Sequence, residues 1–182
     1  MDQERRIAAV EARLGALETT LSTLFAKNVG LVADTAGGLE EQASATLWFD
    51  AAFEHPAFYA NEVRGDGLNY HWMGRDDTAV LTLPITRRRP RRVDVYIAIS
   101  INEKTLNAFQ VSCDGRTPAS YDETKRVDGM IVKSATFDAV GGPAGAAYSD
   151  VKLSIGAKVD LTPQGDARTL AVGLHKIVVT EL

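Results

Sequence analysis

RVDVYIAISI, residues 92–101, alternates from end to end. Val93, Val95, Ile97, Ile99 and Ile101 take every second position, with Asp94, Tyr96, Ala98 and Ser100 between them. Successive side chains of a strand point to opposite faces, so this spacing sets one apolar face on a core and turns the other outward. The neighbouring sequence has the same texture. Residues 46–49, 69–73, 79–83, 108–113 and 151–159 read as strands, 130–140 as one or two more, and 170–182 as a long closing strand. Turn signals separate them: Gly74 to Asp77, Asp114-Gly115-Arg116, and the Gly/Pro-rich residues 141–145. Residues 55–67, with Pro56, Gly65 and Gly67, read as a long irregular loop. Roughly eight or nine strands without a second helical pattern predict a mainly β fold, an antiparallel β-sandwich of the jelly-roll type.

Ahead of these strands the period changes. Apolar residues fall at Ile7, Val10, Leu14, Leu17, Leu21, Leu24 and Leu31. This is a heptad seam with Ile7, Leu14, Leu21 and Asn28 at a and with Val10, Leu17, Leu24 and Leu31 at d. A helix that buries so narrow a stripe needs copies of itself to bury it against. Arg6 and Arg13 at g, with Glu11 and Glu18 at the following e positions, supply the opposite charges that a parallel coiled coil sets across its interface. The expected plan is a coiled-coil oligomerisation helix over 1–33, a linker over 34–44 marked by Gly37-Gly38, and a β-sandwich domain over 45–182. Ile7 at a with Leu at most d positions favours two chains, but Leu14 and Leu21 at a weaken that preference.

Hydrophobic residues are 45% and charged residues 24% of the chain, an ordinary balance for a soluble globular protein. A net charge of −4 gives no electrostatic reason for nucleic acid or an anionic membrane as partner. No apolar run approaches the ~18 residues of a transmembrane span, so membrane insertion is not expected. The opening MDQERRIAAV lacks the apolar core and cleavage site of a signal peptide, which predicts synthesis in the cytoplasm. The single cysteine, Cys113, excludes a disulfide within the chain and reads as a small buried hydrophobe.

Catalysis finds little support. His55, His71 and His175 stand in no HExxH or related ligand spacing, and there is no GxSxG, P-loop or helix-opening GxGxxG. Neither an enzyme, a metal nor a cofactor is expected. The aromatics are more informative. A strand over 69–73 puts Tyr70 and Trp72 on one face and His71 on the other, just before the polar turn Arg75-Asp76-Asp77. Sugar rings stack their C–H faces on aromatic rings, while Asp, Asn and Arg bind their hydroxyls. Tyr59, Tyr70, Trp72, Arg75, Asp76 and Asp77 are therefore glycan-binding candidates. The plainer alternative makes Trp72 and Trp48 core anchors. Arg87, Arg88 and Arg89 open a basic run that suits an acidic glycan. Alternatively, with Pro90 at a strand entry, they are solvated gatekeepers beside a very apolar strand.

Residues 70–95, YHWMGRDDTAVLTLPITRRRPRRVDV, resemble β-sandwich modules joined to bacterial surface-polysaccharide glycosyltransferases. The shared pattern is an aromatic-x-Trp, a short polar turn, a strand ending Leu-Pro, an Arg-rich link and a long alternating strand. Residues 109–115 and the closing LAVGLHKIVV, 170–179, fit the same pattern. The resemblance implies a carbohydrate-binding-module-like jelly roll, accessory and non-catalytic. Here a coiled coil stands where a glycosyltransferase domain would. A stalked, multivalent head without an export signal is also similar to the receptor-binding spikes and fibres of phages and phage-like particles. That similarity favours a homotrimer over a dimer, polysaccharide as ligand, and a capsid or tail protein as a further partner. The expected function is lectin-like attachment to bacterial surface polysaccharide. The alternatives are a structural or decorating oligomer of a phage-like particle, and an accessory module of polysaccharide biosynthesis.

Overall fold

A computed structural model describes residues 43–122, 124–140 and 148–182. The expected heptad seam, nearly all of the expected linker and the turn at 141–145 lie outside the described residues. The described chain is mainly β, and every strand pairing in it is antiparallel. In order come β1 (Ser44–Trp48), β2 (Phe58–Val63), β3 (Asn69–Met73), β4 (Thr78–Leu83) and β5 (Arg91–Ser100). A helical turn, α1 (Glu103–Asn107), leads into β6 (Phe109–Cys113), β7 (Ser120–Tyr121), β8 (Lys125–Val127) and β9 (Met130–Phe137). The chain closes with β10 (Ser149–Ile155), β11 (Val159–Asp160), β12 (Thr169–Leu170) and β13 (Val172–Glu181).

The larger sheet runs β2-β3-β13-β5-β9-β7, with β1 also on β13 and β8 on β9. The smaller sheet is β4-β10-β6, and β11 and β12 form a two-stranded ribbon. Val93, Val95 and Ile97 of β5 and Ile177 and Val179 of β13 share one apolar cluster with Leu81, Val111, Val151 and Leu153 of the smaller sheet. Two antiparallel sheets closing on one core give a sandwich-like architecture. Cys113 is fully buried in that core, and burial, reinforced by the neighbouring Asp114 charge, pushes its thiol up to about 12.

Three expectations are corrected. The 55–67 segment is not a loop throughout: it contains β2, paired with β3. This edge strand carries a register shift between Phe58 and Asn61, and Val63 is 60% exposed, so no two-residue period marks it. The alternation of β5 ends at Ile97. Gly173 pairs with Ile99 and Leu174 with Ile97, so Ala98 is an extra residue, and a compensating shift follows at His175. Past this bulge the faces exchange, and Ile99 is 37% exposed. A second helical element does exist, but α1 is one turn long, too short for a 3.6-residue pattern. Asn102 and Thr105 form a capping box at its start, and Lys133 Nζ binds the carbonyls of Leu106 and Phe109 at its end, at 2.9 and 3.0 Å. The sequence between Cys113 and Met130, which carries no strand period of its own, adds β7 and β8, two short strands that pair with β9.

A second, smaller cluster sits on the opposite face of the larger sheet. Tyr70, Trp72, Ala98 and Leu170 form it, with Leu161 packed against them. The β11–β12 ribbon brings Leu161 and Leu170 over this face. Gly173 makes room below: a Cβ there would lie 2.7 Å from both Tyr70 and Ile99 side chains.

Candidate functional site

The loop after β1 and the start of β2 wall an open cleft of about 540 Å³. The loop is built locally. Asp50 accepts the backbone N–H of Ala52 with its side chain, at 2.9 Å, and that of Phe53 with its carbonyl, at 3.1 Å. Phe53 then stands 4.6 Å from Phe49 and 5.4 Å from Phe58, ring centre to ring centre, which pins the loop to the core. His71 reaches across from β3. Its Nε2 lies 2.7 Å from the Asp50 carbonyl oxygen and its Nδ1 2.9 Å from that of Tyr59, so one buried ring bridges the loop to β2.

On this frame the cleft presents Phe53, His55, Pro56 and Tyr59, with Glu54 and Arg75 as its charged groups. His55 Nδ1 accepts the Ala57 N–H at 3.2 Å, which leaves Nε2 as the ring's free position. The Arg75 guanidinium lies 5.1 Å from the centre of the Tyr59 ring. Arg168 approaches the same ring at 5.7 Å, and the Tyr59 hydroxyl accepts the Thr169 N–H at 3.2 Å. The ring is thus fixed at its tip and flanked by cations, while its body remains half-exposed.

The six glycan candidates do not stay together. Tyr59 and Arg75 meet at the cleft. Tyr70 and Trp72 are 7% and 4% exposed in the smaller cluster, with their ring faces covered. Their polar atoms converge on Glu62 instead. Tyr70 donates its hydroxyl to Glu62 Oε2 at 2.9 Å, Trp72 its Nε1–H at 3.3 Å, and Arg168 binds Oε1. Burial pushes the Glu62 carboxyl up, but the hydrogen bonds from Arg168, Tyr70 and Trp72 outweigh it, so the group ionises below its usual range. Arg168 also grips Asp166, which holds its own carboxyl low. Asp76 and Asp77 are exposed; Asp77 pairs with Lys158 at 2.8 Å.

Part of the arginine run is drawn into the fold. Arg91 is fully buried, with Nη2 2.8 Å from Asp114 Oδ2 but off the hydrogen-bond direction. Arg87 lies 3.1 Å from the other Asp114 oxygen and 3.7 Å from Asp150. Arg89 faces Glu181 at 3.5 Å, and Arg88 is exposed. Trp48 is not a core anchor: it stands on the outward face of the larger sheet with Lys176 4.7 Å over its ring and 4.5 Å from the ring of Tyr96.

Sequence reading passed over Glu62, Arg168 and His55 as site residues. Glu62 was legible in principle, because it stands opposite Tyr70 in the β2–β3 pair, but only once β2 is recognised. Among the described residues no group of three or more His, Cys, Asp or Glu is arranged to hold a metal ion, and no helix is long and apolar enough to cross a membrane. No family model matches the chain, and no curated protein and no solved structure matches it significantly.

Proposed function

We propose that this chain is a non-catalytic glycan-binding protein that works as a homo-oligomer, with the cleft beside Tyr59 as its sugar site. One observation carries the reading: an open cleft of about 540 Å³ that combines aromatic walls with a few polar side chains. Its size falls within the ~300–1,000 Å³ of small-ligand sites. A sugar ring packs its C–H face on Tyr59, and its hydroxyls reach His55, Glu54 and Arg75. Such a shallow site binds modestly. The heptad seam from Ile7 to Leu31 gathers copies, three in this reading, and linked sites raise avidity by ~10²–10⁴ where geometry allows. A jelly-roll head on such a stalk suits a spike mounted on a phage-like particle and facing bacterial surface polysaccharide. The test is binding of the full-length oligomer to an array of bacterial surface polysaccharides, beside a folded Tyr59→Ala variant. Retention of one or more polymers, lost in the variant, is expected. An intact oligomer that binds none of them sinks the reading.

A structural role on the same kind of particle is favoured by a different observation. Tyr70, Trp72 and Arg91 are buried and engaged inside the fold, and Arg87 and Arg89 are each held by a carboxylate. A decorating oligomer needs only a stable head and a stalk. Particles carrying cleft variants that still adsorb to cells at the unaltered rate would favour this role.

A further inference from the structure

We infer that the cleft selects sugars that carry a carboxylate, and that Arg75 reads that group. The inference rests on the glycan reading above and narrows its ligand class. Arg64, Arg87, Arg89, Arg91, Arg92 and Arg168 each lie within ion-pair distance of a carboxylate. Arg75 does not. Among the described residues it is exposed, lines the cleft, and lies over the Tyr59 ring. Its neighbour Asp77 is engaged by Lys158. A guanidinium lying over a ring keeps its edge N–H groups for a partner, and that planar fork matches the two coplanar oxygens of a carboxylate. Tyr59 is itself fixed by its hydrogen bond from Thr169, so the guanidinium rests on a rigid support.

The surroundings set the sign and size of the charge. Glu54 also lines the cleft, and the chain carries a net charge of −4. As the one arginine or lysine lining the cleft, Arg75 neutralises a monoanion and leaves a phosphate dianion half-compensated. His55 adds a donor without adding charge, because its Nδ1 is occupied by the Ala57 N–H and its Nε2 is left to donate. Glu54 is the acceptor for a sugar hydroxyl. The predicted ligand element is therefore a uronic-acid-type ring, with its carboxylate at Arg75 and its body on Tyr59.

The experiment titrates isotope-labelled full-length protein with galacturonate, galactose and galactose 6-sulfate, following amide resonances of residues 54, 55, 57–60 and 75 by NMR. Galacturonate is expected to bind roughly tenfold or more tightly than galactose, the span of a charge-assisted hydrogen bond. Arg75→Gln should bring galacturonate down to the affinity of galactose in the same variant, and Arg75→Lys should restore only part of the preference. Equal binding of galacturonate and galactose, or a preference that survives Arg75→Gln, overturns the inference and leaves the glycan reading standing. A sulfate ester that outcompetes galacturonate also overturns it. If neither sugar moves the cleft resonances, the glycan reading at this cleft falls, and the inference falls with it.

Discussion

Gly74 is where β3 leaves the larger sheet and turns towards β4. A Cβ at this position would lie 2.0 Å from the Thr169 carbonyl oxygen and 3.0 Å from its carbon, and a backbone group cannot yield as a side-chain tip can. Gly74→Ala therefore pushes the β11–β12 ribbon off the face that holds Tyr70 and Trp72. A loss of ~1–3 kcal/mol is expected, as for other overpacked sites, with a red shift in tryptophan emission as Trp72 is wetted. Urea unfolding followed by fluorescence reads both, and an unchanged midpoint and spectrum would mean that the ribbon packs elsewhere. Glu62 governs the same cluster through its charge. Its ionisation is depressed on folding, so its stabilising effect is complete above the ordinary carboxylate range and is lost as pH falls through the depressed value. Asp66, held down to about 2 by Arg64, adds to the same acid-side slope from the surface. Glu62→Gln should cost ~1–2 kcal/mol at pH 6 and flatten the decline between pH 6 and pH 3. Denaturation midpoints at those two pH values decide it: parallel wild-type and variant curves would remove Glu62 from the account.

The turn between β6 and β7 shows how an element is held by charge as well as by core packing. Asp114 adopts a φ of 51° and Gly115 one of 72°, the left-handed region that Asp and Gly tolerate in tight turns. From that corner the Asp114 carboxylate meets Arg91 and Arg87 and accepts the Asp150 N–H at 2.9 Å, joining the start of β5 to the smaller sheet. Asp114→Asn fits the same backbone but strands Arg91 as a buried charge. The expected cost is ~3–5 kcal/mol, and Asp114→Asn combined with Arg91→Met should recover most of it. Chemical denaturation of the single and double variants tests this, and a single-variant loss below ~1 kcal/mol would show that the pair is incidental. These elements also mark how far the sequence could be read. Strands β4, β10 and the first half of β5 were legible because a face buried on one side imposes a two-residue period. The period fails where a bulge exchanges faces, as at Ala98, and on an edge such as β2, where apolar Val63 points to solvent. Arg75 and Tyr59 were legible as candidates by residue type. Their meeting was not, because it depends on β2 pairing with β3, and the acid that claims Arg91 lies far along the chain.

For the molecule as a whole, the question is whether the head depends on its neighbours in an oligomer. Both sheets contribute to one apolar core within residues 43–182, and that core includes side chains from β1, the first described strand. A chain beginning at Glu40 keeps all of these contacts, so it should fold alone. The heptad seam is what such a chain lacks. Full-length protein is expected to sediment at three times 19.6 kDa, and the shortened chain as a folded monomer with the same far-UV circular dichroism and the same urea midpoint for the head. If the seam serves avidity, the two forms will bind a monosaccharide equally, while the shortened form loses ~10²–10⁴ in apparent affinity for a polysaccharide carrying many copies of that sugar. This split separates gathering from folding. A shortened chain that unfolds would show that the stalk completes the head. One that remains oligomeric would place the association in the sheets, with the outward face around Trp48, Tyr96 and Lys176 as the first surface to mutate. Equal affinity of both forms for the polymer would detach the heptad from binding and leave it a purely structural role.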